Sequence, residues 1–206
     1  KENRGGAEDF SASTDESSGL RARAKKRISG AIDVLIRGEE SFTENELILI
    51  RNADAAIGRV SAAITALPTT PSDEEVRAIV TQSQNQVIKP LGKAAKLEKK
   101  ALRIVRKLVS KERKAGSLSS ADQTLNAEAQ AIGTEVRAII NDAHQIQDNL
   151  NQLLTLISGA TAPARGSVGR ARTGLITALT GLRTRVSTLI GHLAVLVSGL
   201  RGRRAA

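Results

Sequence analysis

Residues 119–158 read SSADQTLNAEAQAIGTEVRAIINDAHQIQDNLNQLLTLIS. Within them Leu125, Ala129, Ile132, Val136, Ile139, Ala143, Ile146, Leu150, Leu153 and Ile157 follow one another in alternating steps of four and three. A repeat averaging about 3.5 residues holds one apolar seam on one side of a helix, and such seams pack knobs-into-holes at shallow angles. The same steps run through Leu175, Leu179, Leu182, Val186, Leu189, Leu193, Leu196 and Leu200, and through Ile50, Ala53, Ile57, Val60, Ile64 and Leu67. Three such seams predict an all-α fold: an elongated antiparallel bundle of four to five long amphipathic helices.

Start and stop signals divide the chain. Thr43-Glu44-Asn45-Glu46, Ser72-Asp73-Glu74-Glu75 and Ser120-Ala121-Asp122-Gln123 each fit a capping box, in which a hydroxyl and an acid or amide satisfy orphan N–H groups. Gly38, Pro68 with Pro71, Gly116, and Gly159 followed by Pro163 read as stops. The expected helices are 18–37, 43–67, 72–115, 119–158 and 165–202, in one domain spanning 18–206 after an acidic polar tail at 1–17. Pro90 predicts a kink inside the third, since it removes a backbone donor and crowds the preceding turn. Glu75-Val76-Arg77-Ala78-Ile79-Val80 returns as Glu135-Val136-Arg137-Ala138-Ile139-Ile140, a faint echo that amphipathic helices of few residue types also produce by chance.

Composition agrees with helices. A chain of 206 residues suits one domain with a sizeable core, and its 40% hydrophobic content comes from Ala, Leu, Ile and Val. Two Phe and no Tyr or Trp is poor material for a sheet. The absence of Cys removes disulfides, thiol nucleophiles and thiolate metal sites. The first residue is Lys, which suggests a processed or trimmed chain. The longest apolar stretch, 173–200, is interrupted by Arg183, Arg185 and glycines, so it reads as a buried bundle helix and not a membrane span.

Charge is unevenly spread. Residues 89–114 hold eleven bases against Glu98 and Glu112. Lys89, Lys93, Lys96, Lys100, Arg103, Lys107, Lys111 and Lys114 climb one side of a helix, and Lys99, Arg106 and Arg113 form a parallel row. Net formal charge runs −3 over 1–17, +5 over 18–37, −3 over 38–71, +7 over 72–116, −4 over 117–160 and +8 over 161–206. Antiparallel neighbours thus alternate in sign, and pairing between helices explains part of the stripe. It cannot explain all, because the five acids of 117–160 face twelve bases on one side and eight on the other. An anionic partner, lipid headgroups or nucleic-acid phosphates, is the physical expectation. The expected anion-contacting surface is the eleven bases of 89–114 with Arg201, Arg203 and Arg204. With Phe10 and Phe42 as the only aromatics, reading of bases by stacking is disfavoured, whereas coating of a phosphate backbone needs only Lys and Arg.

Catalytic signatures are missing. His144 and His192 stand alone, each beside a seam position; Glu74-Glu75 suits a first helical turn, and Glu39-Glu40 is merely adjacent. Gly166-Ser167-Val168-Gly169 lacks the strand and spacing of a phosphate loop. Gly181, Gly191 and Gly199 are expected to permit close helix approach. No catalytic residue, metal or cofactor is assigned, and the chain is expected not to be an enzyme.

In overall pattern the chain resembles exchangeable apolipoproteins: long capped amphipathic helices, few aromatics and no cysteine. No motif carries that resemblance, and it assigns no residue a role. The leading expectation is a secreted or particle-associated helical-bundle protein that binds an amphiphilic or apolar ligand, through an Ala-rich seam at Ala53, Ala56, Ala62 and Ala63, or builds a homo-oligomeric structural assembly. The alternative is a basic protein coating nucleic acid, such as a virion coat subunit, with Lys25, Lys26 and Arg27 adding to the phosphate track. A third is a cationic membrane-active protein acting through its C-terminal helix.

Overall fold

A computed structural model describes residues 10–159 and 165–205. The described residues form helices α1 (Phe10–Ala66), α2 (Asp73–Ser83), α3 (Lys89–Ala115), α4 (Ser120–Ile157) and α5 (Arg165–Ala205), with a π-helical turn, Gln84–Ile88, joining α2 to α3. Helix α1 packs on α3 and α5, and α4 packs on α2, α3 and α5, whereas α1–α4 and α3–α5 lie across the diagonals. This is an up-down-up-down four-helix bundle, in which the α2–π–α3 run acts as one helix.

The three seams are its core. Every residue of the α5 and α1 seams is buried, and so is every α4 seam residue except the end pair Leu125 and Ile157. The caps are partly as expected. Ser72 and Glu75 form a full capping box, but the α4 box sits one residue earlier, on Ser119 with Asp122. Gly116 closes α3 at φ 64, a left-handed conformation that disfavours a side chain.

Four expectations fail. Gly38 does not end a helix and Thr43 does not begin one, so the expected 18–37 and 43–67 segments are one helix of 57 residues. The chain can run straight through because Gly38 faces the side chain of Ile104, and buried Thr43 donates its hydroxyl hydrogen bond back to the Glu39 carbonyl. The tail expected at 1–17 is helical from Phe10; residues 1–9 and the Pro163 stop lie outside the described residues. Pro90, where a kink is expected, stands at the start of α3 directly after the π-helical turn. The backbone widens just before it, Lys89 N–H reaching back five residues to the Gln84 carbonyl, which loosens the turn that the ring would crowd. Of the three α5 glycines only Gly199 serves close packing: a Cβ there would fall 2.5 Å from Leu125, whereas Gly181 and Gly191 face open space.

The echoed hexapeptides fall in α2 and α4 and bury equivalent residues, Val76 and Ile79 in one, Val136 and Ile139 in the other. At about 1.5 Å per residue, α1 extends about 85 Å and outruns its partners. Its residues 21–30 are exposed at every position, and burial begins in earnest at Ile36. The N-terminal part of α1 therefore projects past the end of the bundle formed by the α3–α4 loop and the C-terminus of α5.

Candidate functional site

Helix α3 turns its own regular seam inward. Leu91, Ala94, Glu98, Ala101, Val105, Leu108 and Glu112 are buried in alternating steps of three and four. At about 100° per residue this centres the eight-member basic row about 140° around the helix from the core seam, within roughly an 80° arc. All eleven bases of 89–114 are exposed. Among the described residues none of them makes an ion pair; Lys89 meets the Asn85 amide oxygen at 2.7 Å and Lys100 stands 5.6 Å from the Phe42 ring. Pairing with an acidic neighbour therefore does not account for the stripe. On α1, Arg21, Arg23, Lys25, Lys26 and Arg27 are likewise exposed and unpaired among the described residues.

The acids are spent on α5 instead. Arg183 pairs with Asp54, Arg185 with Asp142, and His192 with Glu135 at 2.9 Å. At the C-terminal end Arg204 reaches Glu40 at 2.7 Å, and Arg201 joins Glu40 and Glu44. Arg203 turns inward, only 9% exposed, between Glu112 and Asp122, with 2.8 Å to the latter. The three C-terminal arginines, expected on the anion-contacting surface, are thus engaged by the protein itself, and Arg203 is interior. His144 is exposed, and no cluster of three or more His, Asp or Glu among the described residues is arranged to hold a metal ion.

Five glutamates are buried in the same half of the bundle: Glu39, Glu40 and Glu46 on α1, Glu98 and Glu112 on α3. They escaped the sequence reading because the seam search followed apolar residues. The signal was present. Extending the α1 repeat back from Ile50 lands on Glu46, Thr43, Glu39 and Ile36, and the α3 repeat places Glu98 and Glu112 in core positions. Glu46 faces Glu98, and neither Glu46 oxygen meets a donor. Burial, then the Glu98 charge, pushes the Glu46 carboxyl far above the ordinary 4.5, so it keeps its proton and donates a hydrogen bond to Glu98. Glu98 is raised too, by burial, with the hydrogen bond from Glu46 acting in the opposite direction. Burial lifts Glu39 to about 7, partly offset by Arg203. Glu40 goes the other way, held low chiefly by its hydrogen bond from Arg204.

Raised carboxyls stabilise the fold fully below their unfolded value, and lose that contribution as pH rises through the folded one. The relevant window opens near 4.5 and runs through about 7 for Glu39 and beyond for Glu46. Glu40 contributes in the opposite sense, its share being lost as pH falls. Glu46→Gln, which keeps the shape and a donor but never ionises, is expected to raise the thermal midpoint at about pH 8 and leave it nearly unchanged at about pH 4. Circular-dichroism melts at both pH values check this; a midpoint lowered at the alkaline pH would contradict a proton on Glu46.

No protein-family model, no curated protein and no solved structure matches this chain. Its function is therefore argued from the geometry alone.

Proposed function

We propose that this protein is a non-enzymatic helical bundle that binds the phosphate backbone of nucleic acid without reading sequence. One observation carries the reading: a row of bases running the length of α3, all exposed and none paired with an acid among the described residues. From Lys89 to Lys114 the row is about 37 Å long at 1.5 Å per residue, a rigid linear array suited to a linear polyanion. The bases on the projecting part of α1 add a second cationic segment. Lipid headgroups share the phosphate chemistry, but a membrane-seated helix also needs an apolar face. Among the described residues the large exposed apolar side chains are Ile28, Val34, Ile48 and Val195, and none lies on α3. No described helix is long and apolar enough to cross a membrane.

The apolar-ligand reading loses its expected location. Ala53 and Ala56 are completely buried against neighbouring helices and Ala62 is exposed, so this line of alanines is a closed seam followed by surface.

Titration of a random-sequence DNA duplex with the protein, repeated across salt concentrations, tests the proposal. If six to ten phosphates are contacted, affinity should fall about 10³- to 10⁵-fold between roughly 50 and 200 mM salt, and a second duplex of unrelated sequence should bind equally. Salt-independent binding, or none at low salt, is incompatible with the proposal.

A further inference from the structure

The overhang of α1 creates a cleft. Between it, the α3–α4 loop and the last turns of α5 lies a cavity of about 960 Å³, open on one side. Its α1 wall is a row at steps of four, Ala24, Ile28, Ile32 and Ile36, about 18 Å long at 1.5 Å per residue. Exposure falls along that row from 39% at Ile28 to 5% at Ile36, so the row deepens toward the bundle. Leu125, seated on Gly199, lines the deep end. Nothing else in the described chain covers Ile28.

The polar groups are arranged around this row with one sign in excess. The two acids that line the cleft, Glu112 and Asp122, are both taken by Arg203. Arg21, Lys25 and Lys114 remain at the mouth with no carboxylate partner among the described residues. Arg203 itself, nine-tenths buried in the wall, has an Nη1 donor with no acceptor, a deficit that an entering anionic or polar ligand atom would relieve with a small side-chain rotation.

We propose that this cleft binds a long-chain anionic amphiphile, its alkyl chain along Ile28, Ile32 and Ile36 and its head group among Arg21, Lys25 and Lys114. The cavity lies within the size range of small-molecule sites, which run to about 1,000 Å³, and combines an apolar wall with a few convergent charges. A phosphate polymer would leave the apolar wall uncovered, and an uncharged hydrocarbon would leave the three bases unanswered. The proposal does not rest on nucleic-acid binding, although Arg21, Lys25 and Lys114 belong to both surfaces.

The probe is a dansyl-labelled undecanoate, added to the full chain and followed by its emission, against which a protein without Trp or Tyr contributes little. The expected result is saturable binding at a single site, with dodecanoate displacing the probe at least about tenfold better than dodecyltrimethylammonium. Ile28→Glu should weaken probe binding at least about tenfold while leaving the melt unchanged, since that side chain is partly exposed and its loss opens no core cavity. Joint replacement Lys25→Glu and Lys114→Glu should erase the preference for the carboxylate head. Replacement of Lys93, Lys96, Arg103 and Lys107 by glutamates should leave the probe bound. The inference is overturned if Ile28→Glu binds the probe as the parent does, or if displacement ignores head-group charge.

Discussion

Lys93→Glu, Lys96→Glu, Arg103→Glu and Lys107→Glu, introduced together, are expected to lower affinity for a DNA duplex by about 10³-fold or more at near-physiological salt. The four side chains lie in one row on the outward face of α3. Each parent base that neutralises a phosphate releases a counterion, and reversal replaces that gain with repulsion. The salt slope should fall as well, by about one for each lost contact. Stability should hardly move, because none of the four makes an ion pair among the described residues and Glu is as good a helix former as Lys or Arg. Far-ultraviolet circular dichroism separates lost binding from lost fold. Retained affinity in a folded variant would remove α3 as the binding face.

Arg203→Met is expected to act in the opposite way, costing stability and sparing DNA binding. Methionine fills the space of the arginine stem but leaves Glu112 and Asp122 without their cation in an interior where Glu112 Oε2 already lacks a partner. Breaking a buried pair from one side costs about 3–5 kcal/mol, most of it the penalty of the abandoned charge. Glu112 can escape by taking a proton, which its burial already favours. The loss should therefore be largest above neutrality and shrink as pH falls toward about 4.5, where the unfolded chain is protonated as well. For a chain of this size each kcal/mol moves the thermal midpoint by about 2–4 °C, so a drop near 10 °C is expected at alkaline pH. Urea unfolding followed by circular dichroism measures the same difference. A pH-independent loss would mean that Arg203 acts by packing and not by charge. Arg201→Ala, which removes an exposed guanidinium and leaves Glu40 its bond from Arg204, should cost no more than about 1 kcal/mol and serves as the control.

Much of this was legible in the residues. The seams fixed by Ile50, Leu150 and Leu189 are buried as their spacing requires, since a side chain's direction around a helix depends only on its position along it. The outward-facing row of α3 follows from the same rule. Ser72 and Gly116 mark real helix ends because capping is a local hydrogen-bonding event. Gly38 misled for the converse reason. Whether a glycine ends a helix or lets one approach a neighbour is decided by what stands opposite, and Ile104 stands opposite.

The sequence by itself determined the helices, their apolar faces, and the excess of positive charge that some partner must answer. Only the tertiary structure decided which bases carry that excess. The charge alternation predicted that acidic helices would serve both basic neighbours, but the acids that α5 engages lie on three helices, the diagonal one included: Glu40, Glu44 and Asp54 on α1, Glu112 on α3, and Asp122, Glu135 and Asp142 on α4. That choice depends on axial register and rotation between helices, quantities that no single helix contains. The same register buried Glu46 against Glu98, closed the alanine seam and left α1 projecting over a cleft. Periodicity is a property of one chain segment, whereas pairing is a property of two, and the physical origin of the division is that contacts between segments are settled only when all four packed faces are satisfied together.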